Sequence, residues 1–274
     1  MRYTQVVTSF SIDNAIAAAL FKKTYNVSIE ITNFTKPIHE SIVVGIPYST
    51  ELNLTGCMIF VNYFCREFSA KLPPGNILVC DAEYDSMTEM IADILEMDVP
   101  DTILNLMKNI ETLQIDDKTA LAILLELIME RNTIEEIISS VIKSEWNEVH
   151  KIFGSIYQKH ANVLIDAKRK THEIKIVKRG VGYIIYNVSN ELESLSSKIA
   201  TIYALKDLET VFALGCIENS KVKEGFFVSR KKVNNIFRNI ERLGAAVSCK
   251  KFRGFFRIEW LIRKDEIIRC MRKV

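Results

Sequence analysis

The chain contains few glycines, prolines and histidines, and this shortage limits the chemistry that its loops can support. Ten glycines, five prolines and four histidines occur among 274 residues. No G-x-x-x-x-G-K-[ST] or G-x-G-x-x-G loop follows a predicted strand, and no G-x-S-x-G sequence presents a serine nucleophile. The sequence therefore disfavours nucleotide-loop enzymes and serine hydrolases.

Long apolar runs are also missing. Stretches such as residues 15–21 are far shorter than the ~20 residues that a membrane-spanning helix needs. The first apolar segment is interrupted by Asp13 and has the pattern of a helix of the fold, so no secretory signal is predicted. We therefore expect a cytoplasmic, intracellular protein that does not bind a membrane.

The cysteines show no spacing that is typical of a metal site. There is no C-x-x-C pair and no histidine at zinc-finger spacing. We expect buried free thiols rather than disulfides or zinc ligands. The six positions are Cys57, Cys65, Cys80, Cys216, Cys249 and Cys270.

Charge is balanced in total but uneven along the chain. There are 36 basic and 34 acidic side chains. Residues 81–150 carry 17 acidic and 4 basic residues, a net of −13, whereas residues 221–274 carry 16 basic and 5 acidic residues, a net of +11. This asymmetry favours an acidic face for a basic protein and a basic end for nucleic acid or an acidic protein. The alternative is that both are solvated helix faces.

Hydrophobic periodicity predicts strands that alternate with helices in the first half, which indicates a parallel sheet with crossovers. A capping box, Ser86-x-x-Glu89, marks one helix start. The predicted strands are 2–10, 27–34, 41–46 and 76–80, and the predicted helices are 13–25, from 86 onward, 100–112, 117–131 and 133–143.

The second half begins with a long helix over 145–170, which we interpret as a connector. Strands are predicted at 173–177, 182–187 and 209–218, helices at 192–203 and from a cap at Ser229 to a stop at Gly244, and a hairpin turn at 251–254. The prediction is an α/β protein with a parallel-sheet domain over 1–142, a connector helix over 143–172 and a smaller basic α/β domain over 173–274.

Carboxylates follow two of the predicted strands, where open α/β sheets place their sites. Asp13 follows the first strand, and Asp81 and Glu83 follow the fourth. Together they could hold one Mg²⁺ with waters. The alternative is that they cap the helices that follow them.

These segments resemble motifs of the DHH-family phosphoesterases. Residues 77–91 form an apolar strand, Asp81-Ala82-Glu83 and a helix cap, and they resemble the third motif, Asp-His-His. Residues 9–14, Ser-x-Ser-x-Asp-Asn, resemble the first motif, His-x-Asp-x-Asp-Gly. Residues 119–124 are similar to the helix before the last catalytic aspartate. The connector with a second α/β domain is similar to the DHH plus DHHA1 arrangement, so the resemblance covers nearly the whole chain.

The departures from these motifs concern the metal ligands. Active members are expected to hold two divalent cations with Asp and His side chains, because in-line attack on phosphate needs a metal-bound hydroxide. Here Ser9 and Ser11 replace the first His and Asp, the second-motif aspartate falls at Gly45, and the last falls within 131–133. The His-containing loop of DHHA1 corresponds to residues 243–246, Leu-Gly-Ala-Ala. We therefore expect no catalytic residues, no metal ligands and no cofactor.

Within the resemblance, the branch that fits is the inactive RecJ-like replication factor of archaea. This branch implies a nucleoid-associated scaffold that joins the GINS complex and the MCM helicase. One alternative is a metal-dependent DHH-family phosphodiesterase or exonuclease with a reduced site of Asp13, Asp81 and Glu83. Another is a non-catalytic partner of a repair helicase or nuclease.

The basic C-terminal segment interleaves cations with aromatic residues. Such a segment can bind the backbone and bases of single-stranded DNA weakly and without sequence preference. Alternation along the predicted hairpin places Phe256, Ile258 and Trp260 in the core instead. The predicted nucleic-acid-binding residues are Arg230, Lys231, Lys232, Arg238, Lys250, Lys251, Arg253, Arg257, Phe252 and Phe255.

Overall fold

The computed structural model describes residues 3–49, 53–217, 221–231 and 233–272, apart from the side chains of residues 234 and 259–261. The chain forms two compact units, Met1–Gln114 with Leu121–Lys159, and Ile115–Ala120 with His160–Val274. The strands are β1 (Gln5–Thr8), β2 (Ser28–Ile31), β3 (Ile38–His39), β4 (Ile42–Val44), β5 (Tyr48–Ser49), β6 (Leu54–Thr55), β7 (Met58–Val61), β8 (Ile77–Cys80), β9 (Lys175–Lys178), β10 (Val181–Asn187), β11 (Thr210–Ile217), β12 (Lys221–Ser229), β13 (Ala245–Cys249) and β14 (Arg253–Arg263). The helices are α1 (Ile12–Tyr25), α2 (Cys65–Lys71), α3 (Met87–Ile94), α4 (Asp101–Glu111), α5 (Asp117–Ile128), α6 (Arg131–Ile142), α7 (Trp146–Lys170), α8 (Glu191–Ala204), α9 (Asn234–Glu241) and α10 (Lys264–Met271).

The first unit is built on a five-stranded sheet in the order β2-β1-β4-β7-β8. All four pairings are parallel. The central strand β4 is fully buried, as expected for a parallel sheet covered by helices. Helix α1 lies against it with small residues, and residues 12–21 of this helix are buried. The predicted parallel sheet is confirmed.

Strand β7 was not predicted from the sequence. It is a run of only four residues, Met58–Val61, and periodicity cannot separate so short an apolar run from a helix fragment. It inserts between β4 and β8, so β8 is the fifth strand of the sheet rather than the fourth and lies at its edge. The residues that follow β8 therefore stand farther from β1 than the sequence suggested.

The second unit is a mixed α/β domain, as predicted. Its strands run in the order β13-β14-β12-β11-β10-β9. Strands β10 and β11 are parallel and are joined through α8, and the other pairs are antiparallel. The predicted cap at Ser229 is wrong, because Ser229 ends β12 and its hydroxyl bonds to that of Thr210 at 2.9 Å. Helix α9 starts five residues later, after Val233.

The cysteine prediction is wrong for one pair. Cys65, at the start of α2, forms a disulfide with Cys80, at the end of β8, and their Cα atoms are 5.5 Å apart. Of the remaining cysteines, Cys57, Cys216 and Cys249 are buried thiols outside any disulfide, as predicted, and Cys270 is half-buried.

Within the described ranges, no helix combines the length and the apolar character that crossing a membrane requires.

Candidate functional site

The carboxyl ends of the first unit's strands form the edge at which a site is expected. The residues that directly follow the five strands are Ser9, Thr32, Gly45, Asn62 and Asp81. Asp81 is the one charged residue among them, and it follows β8, the outermost strand of the sheet. The residues that follow the central strands are therefore neutral.

The amide of Asn14 occupies the position where the resemblance places a second-motif aspartate. Gly45 has φ +66°, and a Cβ added to it would lie 2.1 Å from the Asn14 Cγ. The Asn14 Nδ2 donates to the Ser9 Oγ at 2.8 Å and to the Gly45 carbonyl at 2.9 Å. Asn14 is 3% exposed and Ser9 is 7% exposed. A buried hydrogen-bonded cluster of Ser9, Asn14 and Gly45, here called the polar plug, fills this position.

Asp13 is buried, is adjacent in sequence to Asn14 of the polar plug, and accepts hydrogen bonds from backbone N–H groups at the start of α3. Its carboxylate accepts backbone hydrogen bonds from Met87 at 2.7 Å and Thr88 at 2.9 Å, at the first turn of α3. The Thr88 hydroxyl donates to the Asp13 carbonyl at 3.0 Å. The predicted capping alternative is correct in kind, but Asp13 caps α3 and not its own helix.

A second buried carboxylate, Glu111, lies near Asp13. It accepts a long hydrogen bond of 3.5 Å from the Ser11 hydroxyl and is 8% exposed. Burial raises the pKa of Asp13 to about 6, and the negative charge of Glu111 contributes to the rise, against the lowering effect of the α3 backbone bonds. A divalent cation bound here would be expected to lower this pKa.

Asp81 and Glu83 do not converge on Asp13. The Asp81 Oδ1 accepts the backbone N–H of Glu83 at 2.9 Å in a local turn, and Glu83 is exposed. Strand β8 is three positions from β1, which at about 4.8 Å per strand separates their ends by about 14 Å. Among the residues that the structure describes, no three His, Cys, Asp or Glu side chains are grouped so that they could hold a metal ion.

A cation stands where the resemblance places the last acidic ligand. Arg131 begins α6, and its Nη2 donates to the Ile31 carbonyl at 2.7 Å. Its guanidinium lies 5.9 Å from the centre of the Phe10 ring, and Phe10 is flanked in sequence by Ser9 and Ser11. The Arg131 Nη1 also lies 3.4 Å from the Glu135 carboxylate, so its positive charge is paired within α6.

The predicted nucleic-acid-binding residues divide by exposure. Arg230, Lys231, Arg238 and Arg257 are exposed, and Lys231 forms an ion pair with Glu209 at 2.6 Å. Lys251, Phe252 and Phe255 are half-buried, with the Lys251 Nζ lying 5.6 Å from the Phe252 ring centre. Lys250 and Arg253 are each 4% exposed, so the structure does not present them on a surface. Lys232 and the Trp260 side chain lie outside the described residues.

Residues 243–246, the predicted counterpart of the DHHA1 substrate loop, form a short turn between a helix and a strand. Gly244, with φ +77°, forms the turn between α9 and β13, and Ala245 is already buried in the strand. The features that sequence reasoning missed are the Asn14–Gly45 contact, the proximity of Glu111 and strand β7. Only Gly45, an isolated glycine next to Ile46-Pro47, gave a signal in the sequence.

No protein-family model and no curated protein matches this sequence. Among solved structures, the chain is similar to PggH, a pGpG-specific phosphodiesterase from Vibrio cholerae, with a TM-score of 0.60 and 13% identity over 99% of this chain and 97% of that one. It is also similar to RecJ from Thermus thermophilus, solved with Mn²⁺, with a TM-score of 0.53 and 10% identity over 98% of this chain. The chain spans about half of that RecJ, 51% of its length. The fold of the chain is therefore the fold of RecJ and of the pGpG phosphodiesterase.

Proposed function

We propose that this chain is a catalytically inactive RecJ-like replication factor that serves as a scaffold for the GINS complex and the MCM helicase. The observation that carries the inactivity is the polar plug, because an amide fills the space that a second-motif ligand would need. Two-metal hydrolysis needs several anionic or imidazole ligands around one point. The strand ends at Ser9, Gly45 and Asn62 carry no such groups, and the Asp13 carboxylate is already bonded to the first turn of α3.

A scaffold role follows from keeping the fold without its ligands. The acidic helices within residues 81–150 form the proposed docking face for GINS, because a segment with a net charge of −13 favours a basic partner surface. MCM is proposed as a second partner on the resemblance alone. A non-catalytic role beside a repair helicase or nuclease rests on the same features with a different partner.

The first experiment tests inactivity. The full chain is incubated with Mn²⁺ or Mg²⁺ and either pGpG or single-stranded DNA, and hydrolysis is followed by chromatography. We expect no turnover above a metal-free control, and no binding of Mn²⁺ by calorimetry. Metal-dependent turnover that is lost in Asp81→Ala would instead support the reduced-site phosphodiesterase.

The second experiment tests the scaffold. Purified GINS and MCM are each titrated against the immobilised full chain. We expect Asp98→Lys with Glu136→Lys, two exposed acidic positions of the first unit, to weaken GINS binding about tenfold. Glu173→Lys with Glu191→Lys changes the net charge equally at exposed positions of the second unit and should leave binding unchanged. Equal loss in both variants would contradict the assigned face, and no binding to either complex would contradict the role.

Weak binding of single-stranded DNA belongs to the same proposal. Arg230, Arg238 and Arg257 are the exposed cations that would contact phosphates. Changing two of them to Ala should reduce the dependence of log affinity on log salt by about 1.4, at about 0.7 per phosphate contact on a single strand. Affinity that does not change with salt would contradict this part.

A further inference from the structure

A cavity of about 530 Å³ lies within the second unit, outside every site described so far. Its walls come from the end of α7, the end of α8 and the edge strand β9. Its lining includes the apolar side chains of Ile115, Ile174, Ile176 and Leu208. It also includes the polar side chains of Lys168, His172, Tyr203 and Lys206. The volume is in the range of ligand-binding clefts.

The cavity opens along a sheet edge. Strand β9 is last in the order of its sheet and pairs antiparallel with β10 on one side. On its other side it meets no further strand among the described residues, so backbone N–H and C=O groups there are available for an added strand. Strand β9 consists of only Lys175–Lys178, which suits a short added segment.

Apolar side chains of this edge face the cavity at alternate positions. Ile174 and Ile176 both line it, and Ile176 is 61% exposed. A Cβ added to Gly182 of β10 would lie 2.8 Å from Ile174 and 2.9 Å from Leu208, so both side chains rest directly on the sheet backbone. The floor of the cavity is thus fixed, while Ile176 stands open to solvent at its rim.

Two polar residues of the lining, Lys168 and Tyr203, are held in place by side-chain contacts. The Lys168 Nζ lies 2.7 Å from the Asp117 carboxylate and 5.3 Å from the Tyr203 ring centre, and the Tyr203 hydroxyl donates to Asp117 at 2.7 Å. These contacts hold the rim in place. Lys206 and Asp207 also line the cavity, and both are exposed, so their charges offset each other there.

The segment that contains β9 carries a net positive charge. Residues 168–179 contain six Lys or Arg and one Glu, a net of +5. Two of these cations are held in ion pairs, Lys168 with Asp117 and Arg169 with Asp166. Lys175, Lys178 and Arg179, on β9 or directly after it, are exposed cations. A segment that complements this strand edge is acidic.

We propose that this edge is a docking site for an extended segment of a partner protein in which apolar residues alternate with Asp or Glu. The segment adds to β9 as a strand through main-chain hydrogen bonds, places one apolar side chain in the cavity against Ile174 and Ile176, and directs its carboxylates to the opposite face of the sheet, toward Lys175. The site lies entirely in the second unit, so it does not depend on the state of the first unit's plug.

The test uses the full chain and a fluorescein-labelled ten-residue peptide of alternating Val or Ile and Asp or Glu, with binding measured by fluorescence anisotropy. We expect saturable binding and at least a tenfold loss in Ile176→Glu. Ile165→Glu is the matched control, because Ile165 is 64% exposed and is not part of the cavity wall. It should bind as the unchanged protein does.

Charge and backbone are tested separately. Lys175→Glu should weaken binding about fivefold, whereas Lys221→Glu, an exposed lysine of β12 outside the cavity wall, should not. A peptide N-methylated at alternate residues should lose binding, because its donors to β9 are removed. Absence of peptide binding at saturating concentration, equal binding of a peptide with Lys at every acidic position, or equal loss in Ile165→Glu would each overturn the proposal.

Discussion

Two carboxylates in different units of this molecule, the buried Asp13 and the half-buried Glu224, are stabilised in opposite ways. Asp13, in the first unit, accepts from neutral donors, the backbone N–H groups of Met87 and Thr88. Glu224, in the second unit, accepts from the Lys198 Nζ at 2.9 Å and the Tyr186 hydroxyl at 2.7 Å. Backbone dipoles therefore hold the carboxylate of the first unit, whereas a cation holds that of the second.

The pKa directions follow from these surroundings. Burial raises the pKa of Asp13 to about 6. Burial also acts to raise the pKa of Glu224, but the charge and hydrogen bond of Lys198 outweigh it, so the pKa is lowered. Burial, together with the charge of the same Glu224, raises the pKa of Tyr186. The carboxylate held by backbone groups and the carboxylate held by a cation therefore respond to pH with opposite signs.

The largest expected effect is removal of the cation in the second unit. Lys198 is 8% exposed and lies 5.2 Å from the Tyr186 ring centre and 5.4 Å from that of Phe255. Lys198→Met should cost about 3 kcal/mol in the free energy of unfolding, because the half-buried Glu224 then lacks its counter-ion. Urea unfolding measures this. The double variant Lys198→Met with Glu224→Gln should recover most of the lost stability. If Lys198→Met alone were as stable as the parent, Lys198 would not be needed to stabilise Glu224, and the proposed difference between the two carboxylates would be wrong.

The next effect is the pH dependence of Asp13. Its folded pKa of about 6 exceeds the ordinary value of 3.8, so the folded state holds the proton more tightly than the unfolded chain. Stability from this group is present below about pH 4 and is lost as the pH rises through 6, a change of about 3 kcal/mol at about 1.4 kcal/mol per pKa unit. We expect the difference in stability between the parent and Asp13→Asn to follow this curve.

Glu111 provides the control for this curve. Glu111→Gln removes the nearby negative charge and should shift the curve to lower pH, because one of the causes that raise the pKa of Asp13 is then absent. Glu224 should show the reverse dependence, with its stabilisation lost as the pH falls. A flat difference curve for Asp13 would mean that a cationic group compensates its charge in the folded state.

A smaller effect is expected for filling the space at Gly45. Gly45→Ala should cost about 2 to 3 kcal/mol, because the new Cβ overlaps the Asn14 amide and the residue has positive φ. Gly75→Ala is the matched control in the same unit, since Gly75 has φ +85° with no atom within 4 Å of the added Cβ, and should cost about 1 kcal/mol. Equal costs in the two variants would contradict the overlap. Asn14→Ala combined with Gly45→Ala should be less harmful than the sum of the two.

The smallest effects concern two helix caps, one in each unit. The Ser86 hydroxyl accepts from the Glu89 N–H at 3.1 Å, and the Asn190 side chain accepts from the Glu193 N–H at 3.1 Å. Ser86→Ala and Asn190→Ala should each cost about 1 kcal/mol in thermal unfolding. Ser86 is fully buried and Asn190 is exposed, so the first change should cost more. The reverse order would show that burial does not set the value of these caps.

The sequence predicted the elements with strong periodic or capping signals. The capping box at Ser86, the parallel sheet and the long helix ending at Lys170 were recovered within a few residues. The short strand β7 was not predicted, and without it Asp81 was expected to lie nearer to Asp13 than it does. From the sequence, the candidate site was predicted only as an absence of metal ligands. The polar plug was not predicted, because it depends on a contact between Asn14 and Gly45, which are 31 residues apart, and no local sequence pattern indicates such a contact.

The contact between Asn14 and Gly45 also bears on how this protein evolves. If an ancestor held a metal ligand at position 45, a single reversion to Asp would now collide with Asn14 before it could bind anything. Regaining the ligand requires that Asn14 be replaced first, and that intermediate loses two buried hydrogen bonds without any catalytic benefit. Positions 14 and 45 are therefore coupled, and a larger side chain at position 45 is expected only together with a smaller one at position 14.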